Sequence, residues 1–150
     1  MMNKKILLSV AAMCAMGLSA GAMAAEFGTA AEAKAMAEKA AAAVKADKAG
    51  ALAKFNKGEG GFKEKDLYVF CGGPDGNFTA HPSLVGKSMK DLKDKAGKAI
   101  GEEFYKSAHE GKLAEVSYQW PRPGEEKLSE KVSYIFKAGD QVCGVGYYKP

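Results

Sequence analysis

Residues 68–88 read YVFCGGPDGNFTAHPSLVGKS, which gathers three aromatic residues, a histidine and a lysine around one turn. Tyr68 and Phe70 share one face of a strand by their spacing of two. His81 closes the next short stretch. A neutral imidazole can donate to a carboxylate or a carbonyl, and protonation near its ordinary pKa strengthens an anion contact. The competing role for His81 is structural, bonding to the following backbone and holding the strand end. Tyr118 and Trp120 are also two apart, with Tyr134 expected beside them on a neighbouring strand. Their rings can shape a small pocket while a phenol or indole N–H orients a polar ligand. Ordinary core packing is the alternative for these aromatics. Lys87 and Arg122 are candidate cationic contacts to a carboxylate, although a single loop cation is usually just solvated.

Other chemistries find no footing. No Ser-His-Asp or Cys-His arrangement has recognisable context, so no catalytic residue is assigned and an enzyme is not expected. His81 and His109 are isolated, and neither CxxC nor HExxH occurs, so no metal site or cofactor is expected. The lysines are dispersed and no basic-aromatic array appears, which argues against nucleic acid as a partner.

The chain of 150 residues opens MMNKKILLSVAAMCAMGLSAGAMA. Lys4 and Lys5, the apolar run from Ile6 to Leu18 and the small residues around Ala22-Met23-Ala24 form the pattern of a secretory signal peptide. Residues 1–24 are therefore expected to be removed after Ala24, leaving a soluble periplasmic or secreted protein. Met13 is too large for Cys14 to serve as a lipoprotein acceptor. The chain carries 22 basic and 18 acidic side chains, so losing Lys4 and Lys5 leaves a nearly balanced surface. Two cysteines remain, Cys71 and Cys143. An even count in an oxidising compartment reads first as one disulfide, with two buried thiols as the alternative.

The elements that must position these residues follow from periodicity. Ala33, Met36, Ala37, Ala40 and Val44 recur at helical spacing after a capping box, Thr29-Ala30-Ala31-Glu32. A second, short helix is expected over Ala51–Asn56, after an interruption at DKAG and before a stop at KGEGG. The period then becomes two. LYVFC places Leu67, Val69 and Cys71 on one face and Tyr68 and Phe70 on the other. Gly73-Pro74-Asp75-Gly76 is a turn, NFTAH returns, and Pro82 ends that strand. Residues 82–112 form a long connector with a helix expected around Lys98–Glu110, ended by Gly111. AEVSYQW, KVSYIF and QVCGVGYY supply three more strands, with Val132, Tyr134 and Phe136 together on one side. This is one α+β domain spanning residues 25–150, with helices about 29–57 and a mainly antiparallel sheet about 66–149.

The ordered set DLYVF, DG, AHP, LVGKS, DLKD, YQWPRP, EKVSYI and VCGVGYY resembles a single Cache domain of the second type, the PAS-like extracellular sensor module of chemoreceptors and histidine kinases. The resemblance covers roughly residues 30–149. It implies a five-stranded antiparallel sheet in the order 2-1-5-4-3. A long N-terminal helix would cover one face and the helical connector the other, with a small molecule, often an organic acid, held beneath the connector. Strands one and five would then be neighbours, so Cys71 and Cys143 could meet across one rung. Leu67, Val69, Cys71, Cys143, Val145 and Tyr147 would lie under the N-terminal helix. Tyr68, Phe70, Gly144 and Gly146 would face the other side, where two glycines beside two aromatics leave a hollow. Tyr68, Phe70, His81, Tyr118, Trp120, Tyr134 and Gly144 are accordingly the expected ligand-binding residues.

The sequence departs from the family pattern at Cys71, in the glycine-rich turn and at Arg122. No membrane-spanning helix, HAMP segment or signalling domain follows before Pro150. The resemblance thus implies a stand-alone periplasmic sensor that signals in trans, through a membrane-bound receptor or kinase. The alternative is a ligand-free interaction module that dimerises or docks through its N-terminal helix.

Overall fold

The computed structural model describes residues 26–150. The expected signal peptide, its cleavage after Ala24 and Cys14 lie outside the described residues.

The first helix, α1 (Ala30–Ala46), begins at the expected capping box. The Glu32 amide donates to Thr29 Oγ1 at 3.2 Å, and the Thr29 amide donates to the Glu32 carboxylate at 2.7 Å. Its buried residues are Ala33, Met36, Ala37, Ala40 and Val44, the stripe read from the sequence. Four small or slim side chains beside one methionine let the helix sit close to the sheet. The next helix, α2 (Lys48–Lys57), is longer than expected. Only Asp47 interrupts the helical run, because its carboxylate accepts from the Gly50 amide at 3.1 Å and so restarts the helix. Gly58 ends α2 in the left-handed region at φ 69°.

Six strands follow: β1 (Lys63–Glu64), β2 (Leu67–Gly72), β3 (Phe78–Ala80), β4 (Ala114–Pro121), β5 (Leu128–Ala138) and β6 (Gln141–Tyr148). The five expected strands have the expected antiparallel order, here β3-β2-β6-β5-β4. The sixth, β1, was not anticipated. It pairs with the start of β2 on the edge that β3 uses farther along. The connector's helix, α3 (Ile100–Ser107), is shorter than the expected Lys98–Glu110. Ala108 turns to an extended conformation there, and Gly111 belongs to the following turn.

The sheet separates two apolar layers. Leu67, Val69, Cys71, Cys143, Val145 and Phe136 pack under α1 and α2. Tyr68, Phe70, Tyr118, Ile135 and Val142 pack beneath the connector with Met89, Ile100 and Phe104. Cys71 and Cys143 face each other in register and form a disulfide, with both side chains fully buried.

The connector is held to the rest of the domain at several points. The Phe78 amide donates to the Lys87 carbonyl at 2.8 Å, and the Gly86 amide to the Phe78 carbonyl at 3.0 Å. Asp94, only 6% exposed, accepts from the Ala96 and Lys98 amides on one oxygen and from the Gln119 amide of β4 on the other. Burial alone would raise the Asp94 pKa, but these three backbone donors outweigh it and lower it.

Candidate binding site beneath the connector

One small cavity lies between the sheet and the connector. Tyr68 and Phe70 reach it from β2, Phe78 and His81 from β3 and its end, and Tyr118 and Trp120 from β4. Leu92 of the connector and Ile100 and Phe104 of α3 close it. Five expected site residues thus come together: Tyr68, Phe70, His81, Tyr118 and Trp120. The void is about 10 Å³, close to the room of a single water. A larger guest requires the connector to move outward.

The aromatic walls are continuous. Phe104 stands between Phe70 and Tyr118, with ring centroids 5.4 Å from each, and Trp120 continues the row at 6.2 Å from Tyr118. The Tyr118 hydroxyl is committed to Ser133 Oγ at 2.7 Å, and burial raises its pKa.

His81 lines the cavity and also takes the structural role considered for it, holding the strand end. Its Nδ1 accepts the amides of Ser83 at 3.0 Å and Leu84 at 3.1 Å. Two donors at one nitrogen require that nitrogen to be unprotonated, so the neutral ring carries its proton on Nε2. The ring packs edgewise against Tyr68 and Phe78, with centroids 5.4 and 5.0 Å away. Burial, reinforced by the Lys131 charge, pushes the His81 pKa down to about 4. Protonation near the ordinary value, as the sequence suggested, is therefore corrected. At neutral pH His81 is an uncharged N–H donor.

The remaining candidates are placed elsewhere. Tyr134 lies on the α1 side of the sheet beside Tyr147. Gly144 does face the connector layer, but no hollow remains there, because the Phe70 ring and Ile135 Cδ1 occupy the space a side chain would take. Arg122 pairs its Nε with buried Asp66 at 3.4 Å, and its guanidinium lies over the rings of Phe27 and Tyr148. Asp66 also accepts from the Gly28 amide at 2.7 Å, so this cation anchors the segment entering α1. Lys87 is exposed and contributes its carbonyl to the connector's attachment.

The cation near the site is one that sequence reasoning missed. Lys131 of β5 is 1% exposed and donates from Nζ to the Tyr68 hydroxyl at 3.0 Å. The ammonium also lies 4.2 Å from the Tyr68 ring centroid and 5.1 Å from that of Tyr148. Among the described residues no carboxylate pairs with it. Also among the described residues, no group of three or more His, Cys, Asp or Glu side chains is placed to hold a metal.

With the two-layer sheet and its connector-covered cavity established, comparison with known proteins decides the family. The family model described as Cache domain matches residues 29–148. The chain belongs to the Cache domain family. The methyl-accepting chemotaxis protein McpP of Pseudomonas putida is 32% identical over 71 residues. That match takes in 46% of this chain and only 13% of the relative's length. A solved methyl-accepting chemotaxis protein from Vibrio parahaemolyticus is 26% identical, with a TM-score of 0.63, covering 79% of this chain and 86% of the other. A Cache chemosensory domain described for carboxylic acid recognition shares the fold at a TM-score of 0.55 and 24% identity, over 78% of this chain and 83% of that one. This Cache domain therefore has the architecture of chemotaxis sensor modules. Among the described residues, none of its helices is long and apolar enough to cross a membrane.

Proposed function

We propose that this Cache domain is an exported sensor of short monocarboxylic acids, which bind beneath the connector. The observation that carries this reading is the pair of neutral donors at the polar side of an otherwise apolar cavity. Tyr68 and His81 line it with ring centroids 5.4 Å apart, the Lys131 ammonium donates to the Tyr68 hydroxyl at 3.0 Å, and its charge is felt at His81. A carboxylate accepts from both donors and benefits from the positive potential, whereas an amine does not. The aliphatic part of the acid lies against Phe70, Leu92, Ile100 and Phe104. Among the described residues no cation lines the cavity itself, and Lys131 is the one that contacts a lining residue from behind, which favours one carboxylate over two. The relative described for carboxylic acid recognition lends the same chemistry support.

Export is supported by the charged start, apolar run and small-residue site in residues 1–24. Entry of the acid displaces the connector, and a membrane-bound receptor or kinase reads the altered surface. Titration with acetate, propionate, lactate and succinate, followed by calorimetry and thermal shift, tests this reading. Saturable stabilisation by the monoacids in preference to succinate is expected. No stabilisation by any monoacid at about 10 mM, a concentration at which even weak millimolar binding raises stability, overturns it.

The cavity of about 10 Å³ favours one alternative, a module that has lost its ligand and acts through protein contacts. Partner binding that survives both His81→Ala and Trp120→Ala in ligand-free protein supports that alternative.

A further inference from the structure

We propose that Lys131 is the residue that makes this site select anions, acting through Tyr68, and that Gly146 is the slot through which it reaches the site. The proposal rests on the carboxylate reading for its ligand and on the packing of β5, β6 and β2 for its geometry.

Lys131 starts on β5, and Tyr68 stands on β2, with β6 between them. The two side chains must meet over the middle strand, across two strand spacings of roughly 5 Å each. The residue under that crossing is Gly146. A Cβ there would collide with Ser133 Oγ and would come within 2.5 Å of Lys131 Cε and 3.2 Å of its Cγ. Gly146 has no positive φ, so the backbone does not demand glycine. The Ser133 hydroxyl and the passage of the lysine stem together demand it.

Lys131 itself does not line the cavity, whereas Tyr68 does. Because the ammonium donates to the Tyr68 oxygen at 3.0 Å, the phenolic proton must point elsewhere, which leaves it free for an acceptor in the cavity that Tyr68 lines. A carboxylate accepting that proton sits roughly 5 Å from the ammonium, given two successive hydrogen bonds. At that separation a buried charge favours an anion over a neutral isostere by roughly 30- to 300-fold. The same charge contributes, after burial, to keeping His81 neutral, so that His81 remains a donor without becoming a competing cation.

The test compares propionate with propionamide on the protein expressed from the full chain and on two variants. Wild type is expected to prefer propionate by roughly 30-fold or more. Lys131→Met, which keeps an unbranched stem, brings the ratio close to one, with the loss falling on propionate. Gly146→Ala does the same by displacing the stem. A propionate preference unchanged in Lys131→Met overturns the proposal.

A second readout needs no ligand. The His81 imidazole midpoint, followed by NMR, should rise from about 4 in both variants. A purely structural role for Gly146 lowers stability without moving that midpoint upward. If propionate fails to bind wild type, the functional reading falls, yet the His81 midpoint still decides the Lys131 placement. An unmoved midpoint in Lys131→Met overturns that placement. Should Gly146→Ala fail to fold, the triple variant Gly146→Ala, Lys131→Ala, Ser133→Ala removes both obstructing side chains and should fold. Its failure to do so overturns the slot.

Discussion

His81 Nδ1 accepts the backbone amide of Leu84 at 3.1 Å, so a side chain lining the cavity also ties down the first residues of the connector. Protonation cannot preserve that contact, because Nδ1–H would point a donor at two amides. The His81 pKa falls from 6.5 to about 4 on folding. Between those values the unfolded chain binds more protons than the folded one, so stability decreases as pH drops from 6.5 to 4 and the effect levels off below. The full effect is at most roughly 3 kcal/mol. Melting temperature against pH should therefore fall more steeply in wild type than in His81→Phe across that window. Hydrogen exchange at Ser83 and Leu84 should accelerate in the same window. Parallel melting curves for the two proteins would remove His81 as the acid-sensitive tie.

The disulfide gives a prediction independent of the ligand. Cys71 and Cys143 are bonded across one rung of β2 and β6 at a sequence separation of 72. In the chain-entropy account, closing a loop of that length contributes roughly 4 kcal/mol. Titration of unfolded, unreduced protein should find neither thiol free. Reduction should lower the urea midpoint by an amount corresponding to several kcal/mol. A free thiol at Cys71 or Cys143 in freshly purified protein would contradict the pairing.

Much of the architecture was legible because period-two alternation assigns faces directly. Leu67, Val69 and Cys71 parted from Tyr68 and Phe70 as read, and the alanine-rich stripe of α1 was buried as read. Faces across neighbouring strands depend on register, which alternation does not supply. Tyr118 stands opposite Lys131 in the β4–β5 pairing, so the odd-numbered residues of β5 share its face. Tyr134 consequently falls on the α1 side. The same shift explains how Lys131 was missed. A lysine between Glu130 and Val132 reads as a solvated position until the connector is known to cover that face. Gly144 and Gly146 were assigned to the correct face, but the side chains that fill their space come from other strands. Asp94 closes the DLKD stretch that carries the resemblance, and only its backbone donors identify it as the tie to β4.

A third prediction concerns Asn56, the contact between the helical layer and the strand end that carries His81. Its Oδ1 accepts the His81 amide at 3.2 Å and its Nδ2 donates to the Thr79 carbonyl at 3.0 Å. Both bonds are exposed, so Asn56→Ala should cost only about 1 kcal/mol. Its clearer signature is local: hydrogen exchange at the His81 amide should quicken while β5 and β6 remain protected. Asn56→Asp keeps an acceptor for His81 and should retain most of that protection. Equal exchange in wild type and Asn56→Ala would show that the strand end is held by other contacts.

The last prediction separates the cavity's lid from its floor. Leu92 comes from the connector and is half-buried, whereas Phe104 of α3 is 1% exposed and stands between Phe70 and Tyr118. Truncating Phe104 to alanine removes a ring from a filled layer and should cost about 3–5 kcal/mol. Leu92→Ala should cost less, about 1–2 kcal/mol, because water already reaches that side chain and the connector can settle. It also widens a void of about 10 Å³ on its connector side. Leu92→Ala should therefore shift preference from propionate towards valerate, whose longer chain takes the space vacated. Calorimetric titration with both acids, beside urea unfolding of both variants, checks the pair of expectations. An unchanged acid preference in a stable Leu92→Ala protein would mean that the connector does not set the length of the guest.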